Sequence, residues 1–158
     1  MICRRTACVA LVCARWRPAL AQPLPEPESE LLEAWQALRQ ARGHFDGAPW
    51  RDDVDRWQGR KHVLMQTLAE RLLQAQASAE RVRQTLGRPD AELAPGQPAH
   101  ADAVARLAQR RRPDALALLP APSDAGLWLY RWRGAHDQLG LLFERGRVVA
   151  TGWLYELE

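Results

Sequence analysis

The chain has 158 residues and a formal net charge of +3, with 22 basic and 19 acidic side chains and three cysteines. That length suits one domain with one hydrophobic core. The basic excess and the cysteines both fall away once the first segment is read as an export signal, which excludes a nucleic-acid-binding charge pattern, a disulfide framework and a cysteine nucleophile.

Met1 to Arg5 is a short basic stretch, Thr6 to Ala14 is an uncharged run that is mostly apolar, and Ala19-Leu20-Ala21 is a small-residue cleavage site before Gln22. Residues 1–21 are therefore expected to be a cleavable signal peptide, placing the mature protein in the periplasm or outside the cell. The apolar run is about half the roughly twenty residues that cross a bilayer as a helix, so no stable transmembrane anchor is expected. The signal holds Cys3, Cys8 and Cys13 and the arginines 4, 5, 15 and 17, with no acid. Without it, eighteen basic residues face nineteen acidic ones, and the high overall isoelectric point ceases to argue for nucleic acid. Lys61 is the only lysine beside twenty-one arginines, a bias that reads as genome composition rather than chemistry.

Residues 22–28 alternate proline with Leu24, Glu26 and Glu28 and read as an extended linker, leaving 29–158 as a single domain. Ser29 is a good N-cap, and Leu31, Leu32, Trp35 and Leu38 recur at helical spacing up to Gly43. A turn-rich loop from Gly43 to Trp50 carries two aromatics, which predicts that it is ordered and brings His44 close to His62. A short helix is expected between Trp50 and Trp57, and a longer one from Arg60 to Ala75 with Leu64, Met65, Leu68 and Leu72 on its buried stripe. Ser78 caps a further helix, Ala79 to Leu86, which Gly87 and Pro89 stop. Residues 88–125 read as a loosely packed excursion with a weak helical pattern from Ala101 to Arg110, ending in a short arginine run.

Leu127 to Arg133 sets Trp128, Tyr130 and Trp132 against Leu127, Leu129, Arg131 and Arg133. After a turn at 134–137, Leu139, Leu141 and Phe143 share one face of a second strand. A second turn leads to a third strand, with Val149, Thr151, Trp153 and Tyr155 alternating. The expected fold is α+β, with N-terminal helices packed on a C-terminal three-stranded antiparallel β-meander as a two-layer sandwich. Because arginines are costly to bury, the aromatic set should face the helices. Leu127, Leu129, Arg131 and Arg133 would then form an open strip suited to a protein partner.

The run from Ser78 to Asp90 with its Leu86-Gly87-x-Pro89 stop, the Tyr130-x-Trp132 pair and the Phe143-x-x-Gly146-x-Val148-Val149 pattern together resemble the SmpA/OmlA (BamE-like) periplasmic domains. The β-lactamase-inhibitor fold uses a similar helix-then-meander unit. The resemblance implies a small envelope protein that binds other proteins, and separately no cofactor is expected. A competing reading takes His44, Asp46, His62, His136 and Asp137 as ligands of a small metal-dependent hydrolase, since His and Asp suit zinc or manganese. Ser29 and Ser78 read as helix caps, and no G-x-S-x-G or phosphate loop occurs, so no catalytic residue is assigned.

Overall fold

The computed structural model describes residues 29–109 and 125–155; the expected signal peptide, the expected linker and the arginine run therefore lie outside the described residues. Helices come first: α1 (Ser29–Arg39), a 3-10 turn (His44–Asp46), α2 (Asp52–Asp55), α3 (Arg60–Gln74) and α4 (Ala79–Leu86). A three-residue strand β1 (Ala91–Leu93) and helix α5 (Pro98–Gln109) follow. The meander is β2 (Gly126–Arg133), β3 (Asp137–Glu144) and β4 (Arg147–Tyr155). The fold is α+β, and its antiparallel sheet has four strands in the order β1-β2-β3-β4, one more than the meander alone.

Local signals explain most boundaries. Ser78 Oγ accepts the Arg81 N–H at 3.2 Å, so α4 begins where its cap stands. Gly87, at φ +81, ends it in a conformation that a side chain would strain. Alternation along the meander sorts its side chains between two cores. Trp128, Tyr130, Trp132, Leu139, Leu141, Phe143, Trp153 and Tyr155 pack with Trp35 of α1, Met65, Leu68 and Leu72 of α3, and Val82 and Leu86 of α4. The aromatic face packs on α1, α3 and α4, as the cost of burying arginine leads one to expect.

The opposite face is covered too. Leu127, Leu129, Leu142 and Leu154 pack with Ala103 and Leu107 of α5. Gly140 lies in the middle of that face, and a Cβ there would stand 3.2 Å from the Leu107 side chain, so the bare backbone lets α5 settle close. Buried His100 bonds the Ala125 carbonyl oxygen at 2.6 Å and ties α5 to the start of β2. The sheet is thus a middle layer between two helical layers.

Two irregularities break the simple alternation. A register shift between Leu142 and Phe143 pairs Leu142 with Ala150 but Phe143 with Val148. Val149 is the extra residue of this bulge, and it packs on the α5 side while Val148 enters the main core. A second shift, between Arg131 and Arg133, turns Arg133 toward the helices, where its guanidinium stands 4.3 Å from the Trp132 ring centre and 4.8 Å from that of Phe45.

Burial of the leucine strip has a direct consequence. Leu129 is 7% exposed beneath α5, so Leu129→Asp is expected to cost about 3 kcal/mol or more, through lost packing and a buried charge. Urea unfolding of the variant measures this; an unchanged midpoint would mean that α5 does not hold the strip closed.

Candidate functional site

The residues singled out in the sequence are scattered. Leu127 (0% exposed) and Leu129 lie under α5 and offer no open surface. Arg131 is exposed, and its backbone N–H donates to Asp90 Oδ2 at 2.7 Å. Arg133 Nε donates to the buried Asp137 carboxylate at 2.6 Å, and Nη1 to the Asp55 carbonyl oxygen at 3.3 Å. An intended binding strip has become, in part, core and internal ion pair.

The histidines and aspartates of the metal reading do not gather into a ligand set among the described residues. His44 sits edge-on to Phe45, and His136 packs on the same ring at 5.2 Å. His62 is buried, stacked on Trp153 at 4.6 Å and flanked by Trp57 and Trp132. Asp137 is engaged by Arg133, and Asp46 borders a cavity. Among the described residues, no three His, Cys, Asp or Glu side chains gather where they could hold a metal ion. The 43–50 loop is ordered by a different group: buried Asp55 accepts the backbone N–H of His44 at 3.1 Å and of Arg51 at 2.8 Å.

Two features are open to solvent and chemically distinctive. The first is apolar. Trp50 and Trp57 stand just before and just after α2, 53% and 38% exposed, and Val63 in the first turn of α3 is 47% exposed. Trp50 Nε1 donates to Asp52 Oδ1 at 2.8 Å, and the Trp57 ring lies 4.4 Å from His62 and 5.4 Å from Tyr155, so both indoles are held in place. The charges around them are paired, Arg51 with Asp53 at 2.7 Å and Arg56 with Asp52 at 3.5 Å.

The second is a polar cavity of about 150 Å³ between the end of α1, the start of α3 and β2. Residues lining it carry four cations, Arg39, Arg42, Lys61 and Arg131, and two carboxylates, Asp46 and Asp90. Trp35, Tyr130 and Trp132 complete its wall. Lys61, the sole lysine, is 3% exposed, and its Nζ donates to the Ala41 carbonyl oxygen at 3.4 Å, its one hydrogen-bond acceptor among the described residues. Burial pulls its ammonium below the ordinary lysine range, partly offset by the negative charges of Asp46, Asp90 and Asp55. Burial likewise pushes the Tyr130 phenol up, and its hydroxyl donates to the Gly87 carbonyl oxygen at 3.1 Å. Arg39 reaches in past Gly87, where a Cβ would collide with its guanidinium, and its Nη2 donates to the Arg88 carbonyl oxygen.

Sequence reading passed over this cavity. The one available signal was a solitary lysine in an arginine-rich chain, which composition explains as readily as chemistry.

The fold and these surfaces define the class of the protein: an α+β domain with a four-stranded antiparallel sheet between helical layers and no long apolar helix able to cross a membrane among the described residues. Comparison with protein-family models, with curated proteins and with solved structures gives no match in any of the three.

Proposed function

We propose that this is an exported, periplasmic or secreted protein that works by binding another envelope protein rather than by catalysis. The observation that carries the reading is the pair of fixed, exposed tryptophans flanking α2, together with exposed Val63 in the first turn of α3. Exposed indoles held by a hydrogen bond and by ring packing lose little freedom on docking, and tryptophan dominates the energetics of protein interfaces. The neighbouring ion pairs neutralise one another. Such a rim offers no field to a phosphate backbone or an anionic lipid, and the partner it suits is an apolar, aromatic-lined protein groove. The reading agrees with the resemblance to SmpA/OmlA (BamE-like) domains and with the signal-like first 21 residues. The hydrolase reading has no assembled ligand set among the described residues to support it.

Site-specific photo-crosslinking in the intact envelope tests the proposal. A photoreactive residue replacing Trp50 or Val63 should give one discrete protein adduct, while the same residue at exposed Glu92 or Ala101, on β1 and α5, should give none. Equal labelling at all four positions, or no adduct at 50 and 63, overturns it.

A further inference from the structure

We infer that the cavity bordered by Arg39, Arg42 and Lys61 is a binding site for a small oxyanion, a carboxylate or a phosphate of about six heavy atoms, in a space of the size that admits a benzene ring. This is independent of the tryptophan surface.

The argument starts from donors without acceptors. An ammonium has three N–H bonds to place. Lys61 directs one toward Ala41 at 3.4 Å, longer than the usual 2.7–3.2 Å range. No carboxylate among the described residues lies within 4 Å of it. Arg39 Nη1 is also buried and has no hydrogen-bond partner among the described residues. Buried donors left in this state are uncommon in folded proteins and call for an explanation. A single oxyanion in the shared cavity would supply acceptors to both at once, by the charge-assisted bonds that guanidinium and ammonium groups form with carboxylate or phosphate.

The acids on the wall do not already fill that role. Asp90 accepts the Arg131 N–H through Oδ2, and Asp55, which does not line the cavity, accepts the backbone N–H groups of His44 and Arg51. Asp46 stands by the turn at Gly134, its Oδ1 3.2 Å from where a Cβ on that glycine would be. With four cationic residues around it and two anionic ones, the cavity carries a formal excess of two positive charges. The depressed Lys61 ammonium agrees with a site lacking its counter-ion, and an incoming anion would restore it.

Because Lys61 is the only lysine, selective 13C-lysine labelling of the purified protein gives a single ε-carbon signal that reports on this site. Titration with phosphate and, separately, with acetate, each against sodium chloride of equal ionic strength, should shift that signal saturably for at least one anion and raise the Lys61 pKa. Whichever anion saturates at lower concentration names the source of the oxyanion. Arg42→Gln, at an exposed position, should weaken binding about tenfold, since one charge-assisted contact is lost. Lys61→Met should abolish the anion-dependent rise in Tm while folding normally by circular dichroism. No saturable shift with either anion overturns the inference. So does an unchanged Tm response in Lys61→Met, because the anion would then be acting elsewhere.

Stability against pH gives a second measurement. With its folded pKa below 10.5, Lys61 leaves the unfolded chain holding more protons in the window between the two values, so stability rises with pH across it. Tyr130 reverses the trend near pH 10, where the unfolded phenol ionises before the buried one. Lys61→Met should flatten the rise and leave the fall. A wild-type profile without that rise would mean that Lys61 is not held as the cavity requires.

Discussion

Trp132→Ala is expected to cost about 3–5 kcal/mol, a large fraction of the roughly 5–15 kcal/mol that holds an ordinary domain folded. Trp132 is fully buried, and its Nε1 donates to the Val54 carbonyl oxygen at 2.7 Å. Its ring lies 4.5 Å from His62 on α3, 5.6 Å from Trp153 on β4 and 5.9 Å from Trp57. One side chain therefore joins the sheet to α2 and α3, and truncation removes aromatic packing and an indole donor together. Trp132→Phe should recover most of the packing and lose chiefly the hydrogen bond, about 1–2 kcal/mol. Trp50→Ala, at the exposed position just before α2, should stay within about 0.5 kcal/mol of wild type. Equilibrium urea unfolding followed by circular dichroism separates the three. Equal losses for Trp50→Ala and Trp132→Ala would mean that Trp132 does not hold the sheet to the helices.

How far the sequence reveals this molecule depends on how local each signal is. Helix α4 is legible because its start and stop lie inside its own segment, Ser78 accepting from Arg81 and Gly87 taking a positive φ. The aromatic face of β2 is legible because alternation and the cost of burying arginine give the same answer. Helix α5 is harder to read: its inward residues include Ala103 and Leu107, small and sparse in a segment dominated by alanine, so its pattern does not show that it will cover a sheet face. Strand β1 is three residues, too short for alternation to show, and it is identified only by pairing with Leu127 to Leu129. The bulge at Val149 swaps the faces of the first residues of β4 through a register that only the partner strand determines.

The candidate sites follow the same rule. The tryptophans could be counted in the sequence, but which of the six after residue 21 would face solvent depends on packing among distant elements. The cavity draws on residues near 40, 61, 90 and 131, so no window of sequence contains it. Lys61 is instructive in this respect. At the start of a helix a lysine ordinarily extends into water, and here it is buried because Ala41 and the end of α1 fold over it.

Asp55→Ala is expected to cost about 3 kcal/mol and to alter both proposed surfaces at once. The Asp55 carboxylate is fully buried and accepts N–H groups from His44 and Arg51, the two ends of the loop that carries Asp46 and Trp50. Hydrogen bonds to a charged acceptor contribute about 1.5–3 kcal/mol each, and their loss leaves two backbone donors unanswered. Gly43 packs against the same carboxylate so tightly that a Cβ there would stand 2.1 Å from its Oδ1, which leaves no room for a larger group to compensate. Asp55→Asn should not rescue the fold, since it retains one acceptor oxygen and turns an amide donor toward an N–H. Asp52→Ala provides the contrast: its carboxylate meets Trp50 and Arg56 at the surface, and its removal should cost under about 1 kcal/mol. Urea unfolding gives the ranking, and the lysine ε-carbon signal gives the coupling, because releasing the loop moves Arg42 and Asp46 relative to Lys61. A stable Asp55→Ala protein with an unshifted Lys61 signal would show that the loop is held by its aromatics alone and that Asp55 is dispensable to the cavity.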